Sequence, residues 1–118
     1  MTGDRFRELR KEILSLATED YYPLWELRNA LLSEGDSLES STDELLPVVQ
    51  RMVQEGLLHV YTGQWSSTER RRLDRPNLAA LIAERTWWSE PSNADDQQLL
   101  VAATEKGTSS YMSDRLTD

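Results

Sequence analysis

Between Ser41 and Thr62 the spacing of the apolar residues changes from helical to extended across a single glycine. Leu45, Val48, Val49, Met52 and Val53 recur at the three- and four-residue intervals that line one face of a helix. Gly56 stands where a helix commonly ends in the left-handed conformation. Leu57-Leu58-His59-Val60-Tyr61-Thr62 follows at once, rich in the residue types that favour strands. A helix that passes into a strand with no linker must share a core with it, so the chain has to mix helix and sheet.

The helix side of that mixture dominates. Phe6, Leu9, Ile13, Leu16 and Ala17 fall on one face of a first amphipathic helix that ends near Thr18-Glu19-Asp20. Pro23 suits the first turn of a second helix, with Leu24, Leu27, Ala30 and Leu31 inward and a stop at Ser33-Glu34-Gly35. Ser41 and Glu44 have the spacing of a capping box and predict the start of the third helix there. Pro47, past the first turn, is then expected to kink that helix, unless the helix starts later than the box. Beyond the first strand, Asp74-Arg75-Pro76 opens a short helix carrying Leu78, Leu81, Ile82 and Arg85 and closed by Thr86-Trp87-Trp88. Ser89 to Asp96 reads as a loop and Gln98 to Ala103 as a second strand, after which Thr104 caps a final short helix or turn. The 118 residues suit one domain spanning 1–118, without repeats or a dividing linker.

Composition removes several function classes. With no cysteine, thiolate chemistry, disulfides and cysteine-ligated zinc are excluded, and a reducing cytoplasm is the expected setting. No stretch approaches the roughly 18 consecutive apolar residues that cross a bilayer. His59 is the sole histidine and has no second ligand or triad partner spaced near it. The acidic pairs Glu19-Asp20 and Asp95-Asp96 lie in polar turns with nothing to separate their pKa values. Neither a phosphate loop nor a dinucleotide fingerprint occurs, so the chain is expected to be non-enzymatic and to need no cofactor or metal.

Val53-Gln54-Glu55-Gly56-Leu57-Leu58 resembles the junction of helix 3 and strand in the winged-helix family. Val101-Ala102-Ala103-Thr104-Glu105-Lys106-Gly107, followed by Tyr111, is similar to the strand-to-helix exit of many bacterial winged-helix regulators. The resemblance covers roughly residues 5–112. It implies a mostly α, α+β fold, a winged helix-turn-helix with a small β-hairpin, here with an extra helix inserted in a long wing connection from Gly63 to Asp96. It also implies a small DNA-binding transcriptional regulator, the third helix in the major groove and the wing on a neighbouring groove or backbone.

The residues themselves divide between that expectation and a second one. Facing away from the core, the third helix presents Asp43, Glu44, Pro47, Gln50, Arg51, Gln54 and Glu55. Gln50 and Gln54 suit adenine and Arg51 suits guanine or phosphate, yet acids outnumber bases on that face. The net charge is −8, and only Glu69-Arg70-Arg71-Arg72-Leu73-Asp74-Arg75 is locally positive. Arg70, Arg71, Arg72 and Arg75 are therefore the candidate phosphate contacts on double-stranded DNA. The alternative is a protein-interaction module, an adaptor or inhibitor of another protein, working through an acidic, aromatic surface. Trp65, Trp87 and Trp88 frame the long connection and would supply its partner-binding residues, tryptophan and arginine being common binding hot spots. Their blander role is to pack the inserted helix onto the core. A homodimer is a further expectation, through exposed parts of helix 1 and of the segment from Thr108 to Leu116.

Overall fold

Ser37, rather than Ser41, opens the third helix. In a computed structural model of the chain the Ser37 hydroxyl accepts from the Ser40 amide at 3.0 Å and the helix runs Leu38–Gln54 (α3), with Ser41 buried one turn inside it. The first turn, Leu38-Glu39-Ser40, carries no inward apolar residue, so helical spacing becomes visible only from Thr42 and Leu45 onward. Pro47 sits in the body of this helix on its exposed side. Its missing N–H deprives the Asp43 carbonyl of its intrahelical donor, and exposure lets water serve instead. The model describes the chain apart from residues 1, 2, 33, 34, 36, 65, 66, 75, 94 and 118 and the side chains of 114–117.

The preceding helices are Gly3–Ala17 (α1) and Leu24–Ala30 (α2). In α1 the expected face buries Leu9, Ile13 and Ala17, with Leu14 added. In α2, Leu24 and Leu27 are buried as expected, but Ala30 is exposed and Arg28 takes the inward place. Between them Tyr22–Pro23 forms a two-residue strand (β1), too short for any alternation to betray it. Three further strands follow, Leu58–Gln64 (β2), Arg71–Leu73 (β3) and Gln97–Ala103 (β4). All four make one antiparallel sheet in the order β1-β4-β2-β3. A helix Leu78–Ile82 (α4), a 3-10 turn Arg85–Trp88 and a last helix Glu105–Thr117 (α5) complete the elements among the described residues.

The architecture is thus α+β: five α-helices and a four-stranded antiparallel sheet. Leu58, Val60, Leu99 and Val101 point from the sheet into a core shared with α1, α2 and α3. Ile82 and Trp88 reach the same core from the inserted connection. No helix among the described residues is long and apolar enough to cross a membrane.

The two sequence phrases around Gly56 and Gly107 meet in space. Gly56 adopts φ 78°, the left-handed end anticipated for α3. The Thr104 amide donates to the Leu57 carbonyl at 3.0 Å and its hydroxyl donates to the Gly56 carbonyl at 2.6 Å, while the Lys106 ammonium reaches the Glu55 carbonyl at 2.8 Å. The link from α3 to β2 therefore finds its donors at the start of α5, and the lysine, on the C-cap carbonyl of Glu55, is favourably placed against the negative end of the helix dipole. Thr104 also caps α5 by accepting from the Gly107 amide at 2.9 Å. A short helix or turn was expected here, and the helix runs 13 residues.

Candidate interaction surfaces

The exposed strip of α3 is flanked on both sides. On one flank α1 brings Arg5 to Glu44 at 2.7 Å and sets Phe6 under the Arg51 guanidinium, 4.2 Å from the ring centroid. On the other, the inserted connection brings Arg85 to Asp43 at 2.6 Å and the carbonyl of Ala79 to the Gln50 side-chain amide at 2.6 Å. Among the expected base readers, Gln50 is thus engaged with α4, Arg51 lies against Phe6 and within 3.6 Å of Glu55, and Gln54 remains exposed. The sequence could not reveal the Gln50 contact, because its acceptor is a main-chain carbonyl in an element 29 residues away.

The arginine run lies at the far edge of the sheet. β3 pairs Arg72 with Tyr61 and Arg71 with Thr62, while Leu73 opposite buried Val60 faces the core. Alternation therefore places Arg72, Tyr61 and His59 on the sheet face that looks away from α3, and Arg71 on the other side. Arg72 is 3.5 Å from Asp74. Arg70 folds back over the strand end, donating to the carbonyls of Ser67 at 2.6 Å and Glu69 at 3.0 Å, with its guanidinium 5.9 Å from the Tyr21 ring. A Cβ on Gly63 would come within 3.0 Å of the Arg70 side chain, so this glycine leaves the space in which the arginine lies. Arg75 and Trp65 lie outside the described residues.

Tyr21 and Tyr61 meet edge to face at 4.8 Å on the same outer surface, and Tyr21 is 41% exposed. Leu100, opposite Tyr61 on β4, is buried and shares a small cleft with Tyr21, Glu26 and Arg70. Burial pushes the Tyr61 phenol above its ordinary pKa, with Tyr21 adding and Arg72 opposing. Burial also raises the Glu26 carboxyl, helped by the charge of Asp20. A carboxyl raised on folding stabilises the folded state when protonated and loses that contribution as the pH rises through its folded pKa. Glu26→Gln should therefore raise stability at pH 7 in urea melts, with the gain shrinking as the pH falls to about 4, the ordinary glutamate range. A gain that stays constant down to that pH would refute the assignment.

The tryptophans of the connection split into two roles. Trp88 is 1% exposed, its indole N–H donating to the Ile82 carbonyl at 2.8 Å and its own carbonyl accepting from Arg28. It is a core residue that fastens the insert, which corrects the expectation of a partner-binding side chain there. Trp87 is half-buried, with its indole N–H on Glu84 at 2.8 Å. Arg28, 6% exposed, is the buried cation that the sequence did not single out. Burial holds its pKa below the ordinary arginine value, with Glu90 opposing. The faces expected to pair in a dimer partly meet within one chain, where Arg10 of α1 donates to Ser110 of α5 at 3.0 Å. No group of three metal-ligating side chains is assembled among the described residues.

Comparison with known proteins returns no matching family model, no matching curated sequence and no matching solved structure. The chain's own surfaces carry the functional reading.

Proposed function

We propose that this chain is a winged-helix-type module that recognises another protein through the outer face of its sheet, rather than a DNA-binding regulator. The frame is supported by the order of its elements, three helices running into a strand and a returning strand that pairs with it over seven residues. Protein recognition is supported above all by the state of α3. A reading helix must enter a major groove about 12 Å wide. Here α1 and the α4 segment flank the helix on either side, and the two acids near its start are held in ion pairs with Arg5 and Arg85. The helix itself carries a single base, Arg51, which lies 3.6 Å from Glu55. The outer sheet face instead combines Tyr21, Tyr61, Arg70 and Arg72, the tyrosine and arginine composition favoured at protein hot spots.

DNA recognition is the second reading, favoured by the exposure of Arg71 and Arg72 on an edge strand. Fluorescence anisotropy with mixed-sequence duplex DNA over a salt series separates the two. We expect no salt-sensitive binding even at low salt. Binding that weakens with salt, with a shallower slope after Arg70, Arg71 and Arg72 are changed to alanine, would establish phosphate contact and favour the regulator. In parallel, a photo-crosslinking residue in place of Tyr61 should give a discrete adduct with a host protein, diminished by Arg72→Glu.

A further inference from the structure

The edges of α1 and α3 that face solvent together enclose a groove of about 540 Å³, lined chiefly by Phe6, Arg7, Arg10, Pro47, Val48 and Arg51. On a chain of net charge −8, three of those six side chains are arginines and none is a carboxylate. On α3 and its C-cap, Glu44 is engaged by Arg5 at 2.7 Å and Glu55 by Arg51 itself at 3.6 Å, so a carboxylate arriving at Arg51 takes the place of Glu55. Arg7 is exposed. Arg10 spends one terminal nitrogen on Ser110, yet its Nε is buried without a hydrogen-bond partner among the described residues. Between the guanidinium groups Phe6, Pro47 and buried Val48 form an apolar floor.

We propose that this groove binds an acidic peptide segment of a partner protein, its carboxylates on Arg7, Arg10 and Arg51 and an apolar side chain on the Phe6, Pro47 and Val48 floor. Charge complementarity selects the acidic partner. The floor favours a peptide over duplex DNA, whose base faces are stacked inside the helix and leave mainly phosphate and sugar to meet Phe6 and Pro47. This site deepens the protein-recognition reading and rests on it, adding a second contact surface remote in sequence from the sheet edge.

The test uses the full chain and a fluorescein-labelled peptide in which glutamates flank a Leu-Phe pair, beside its glutamine analogue and a version with glycine in place of Leu-Phe. Charge-assisted hydrogen bonds lost should weaken binding by about tenfold or more, so the glutamine analogue and the Arg7→Glu and Arg51→Glu variants should fall by that factor, and the glycine version by a similar one through loss of its buried apolar side chain. Arg7 is exposed and its variant should melt as the native chain does, which keeps the result interpretable should Arg51→Glu unfold. Arg71→Ala, at the sheet edge, should bind the acidic peptide unchanged. Absence of acidic-peptide binding, equal binding of the glutamine analogue, or an equal loss in Arg71→Ala would overturn the groove. If the groove fails while adducts from position 61 persist, the protein-recognition reading stands; if duplex DNA binds in place of the peptide, both fall.

Discussion

Replacing Gly107 with alanine is expected to destabilise the chain by about 2–3 kcal/mol, although alanine is the better helix former by about 1 kcal/mol. A Cβ at this position would stand 2.1 Å from the Leu57 carbonyl oxygen and 3.3 Å from the Leu14 side chain. The first of these neighbours is main chain in the link between α3 and β2, and it already accepts from the Thr104 amide at 3.0 Å. It cannot retreat without breaking the joint between α3, β2 and α5. Thermal unfolding followed by circular dichroism should show the midpoint falling by roughly 8–12 °C. An unchanged midpoint would mean that α5 is not held against Leu57 in solution.

Trp88→Ala should cost about 3–5 kcal/mol, the range for deleting a large buried aromatic side chain. Two losses combine, since the ring fills core volume beside Ile82 and its N–H satisfies the Ile82 carbonyl. Trp88→Phe separates them: much of the ring volume stays, the carbonyl is orphaned, and the expected cost is about 1–3 kcal/mol. Trp87→Ala, one residue away but half-buried, should cost much less than Trp88→Ala. Urea midpoints of the three variants decide the matter, and a Trp88→Ala chain as stable as Trp87→Ala would show that the insert is not anchored in the core.

Where burial is periodic, the sequence was readable. The inward faces of α1 and α3, the left-handed Gly56 and the strand after it all follow from residue spacing, and each is present. β1 and β3 escaped for two different reasons. β1 is only Tyr22–Pro23, and its proline resembled a helix start. β3 is an edge strand whose Arg71 and Arg72 are exposed, leaving Leu73 alone to mark a buried side. The start of α3 was misplaced because Leu38, the one apolar residue of its first turn, faces solvent, so the inward spacing does not begin until Leu45 and Ser41 looked like the cap. At the candidate surfaces, the arginine run was evident as composition, but its separation from α3 was not. That separation depends on β3 pairing with the outer edge of β2, a register no local pattern encodes. The groove of Arg7, Arg10 and Arg51 was equally hidden, since it joins two helices whose arginines are unremarkable in either one.

The pairing of Gln64 with Gln97 brings the two ends of the long connection side by side on adjacent strands. Between them the chain first adds β3 to the outer edge of β2, then leaves the sheet and returns to nearly the same point, a gap of about 5 Å between neighbouring strands. The covering over α3 is therefore an excursion that starts and ends at one place on the sheet, while Ile82 and Trp88 tie its middle into the common core. A change of length in that excursion is therefore bounded by two fixed points, the Gln64–Gln97 pair where it leaves the sheet and the Ile82 and Trp88 side chains where it re-enters the core. The surface it adds beside α3 is held as firmly as the core that anchors it.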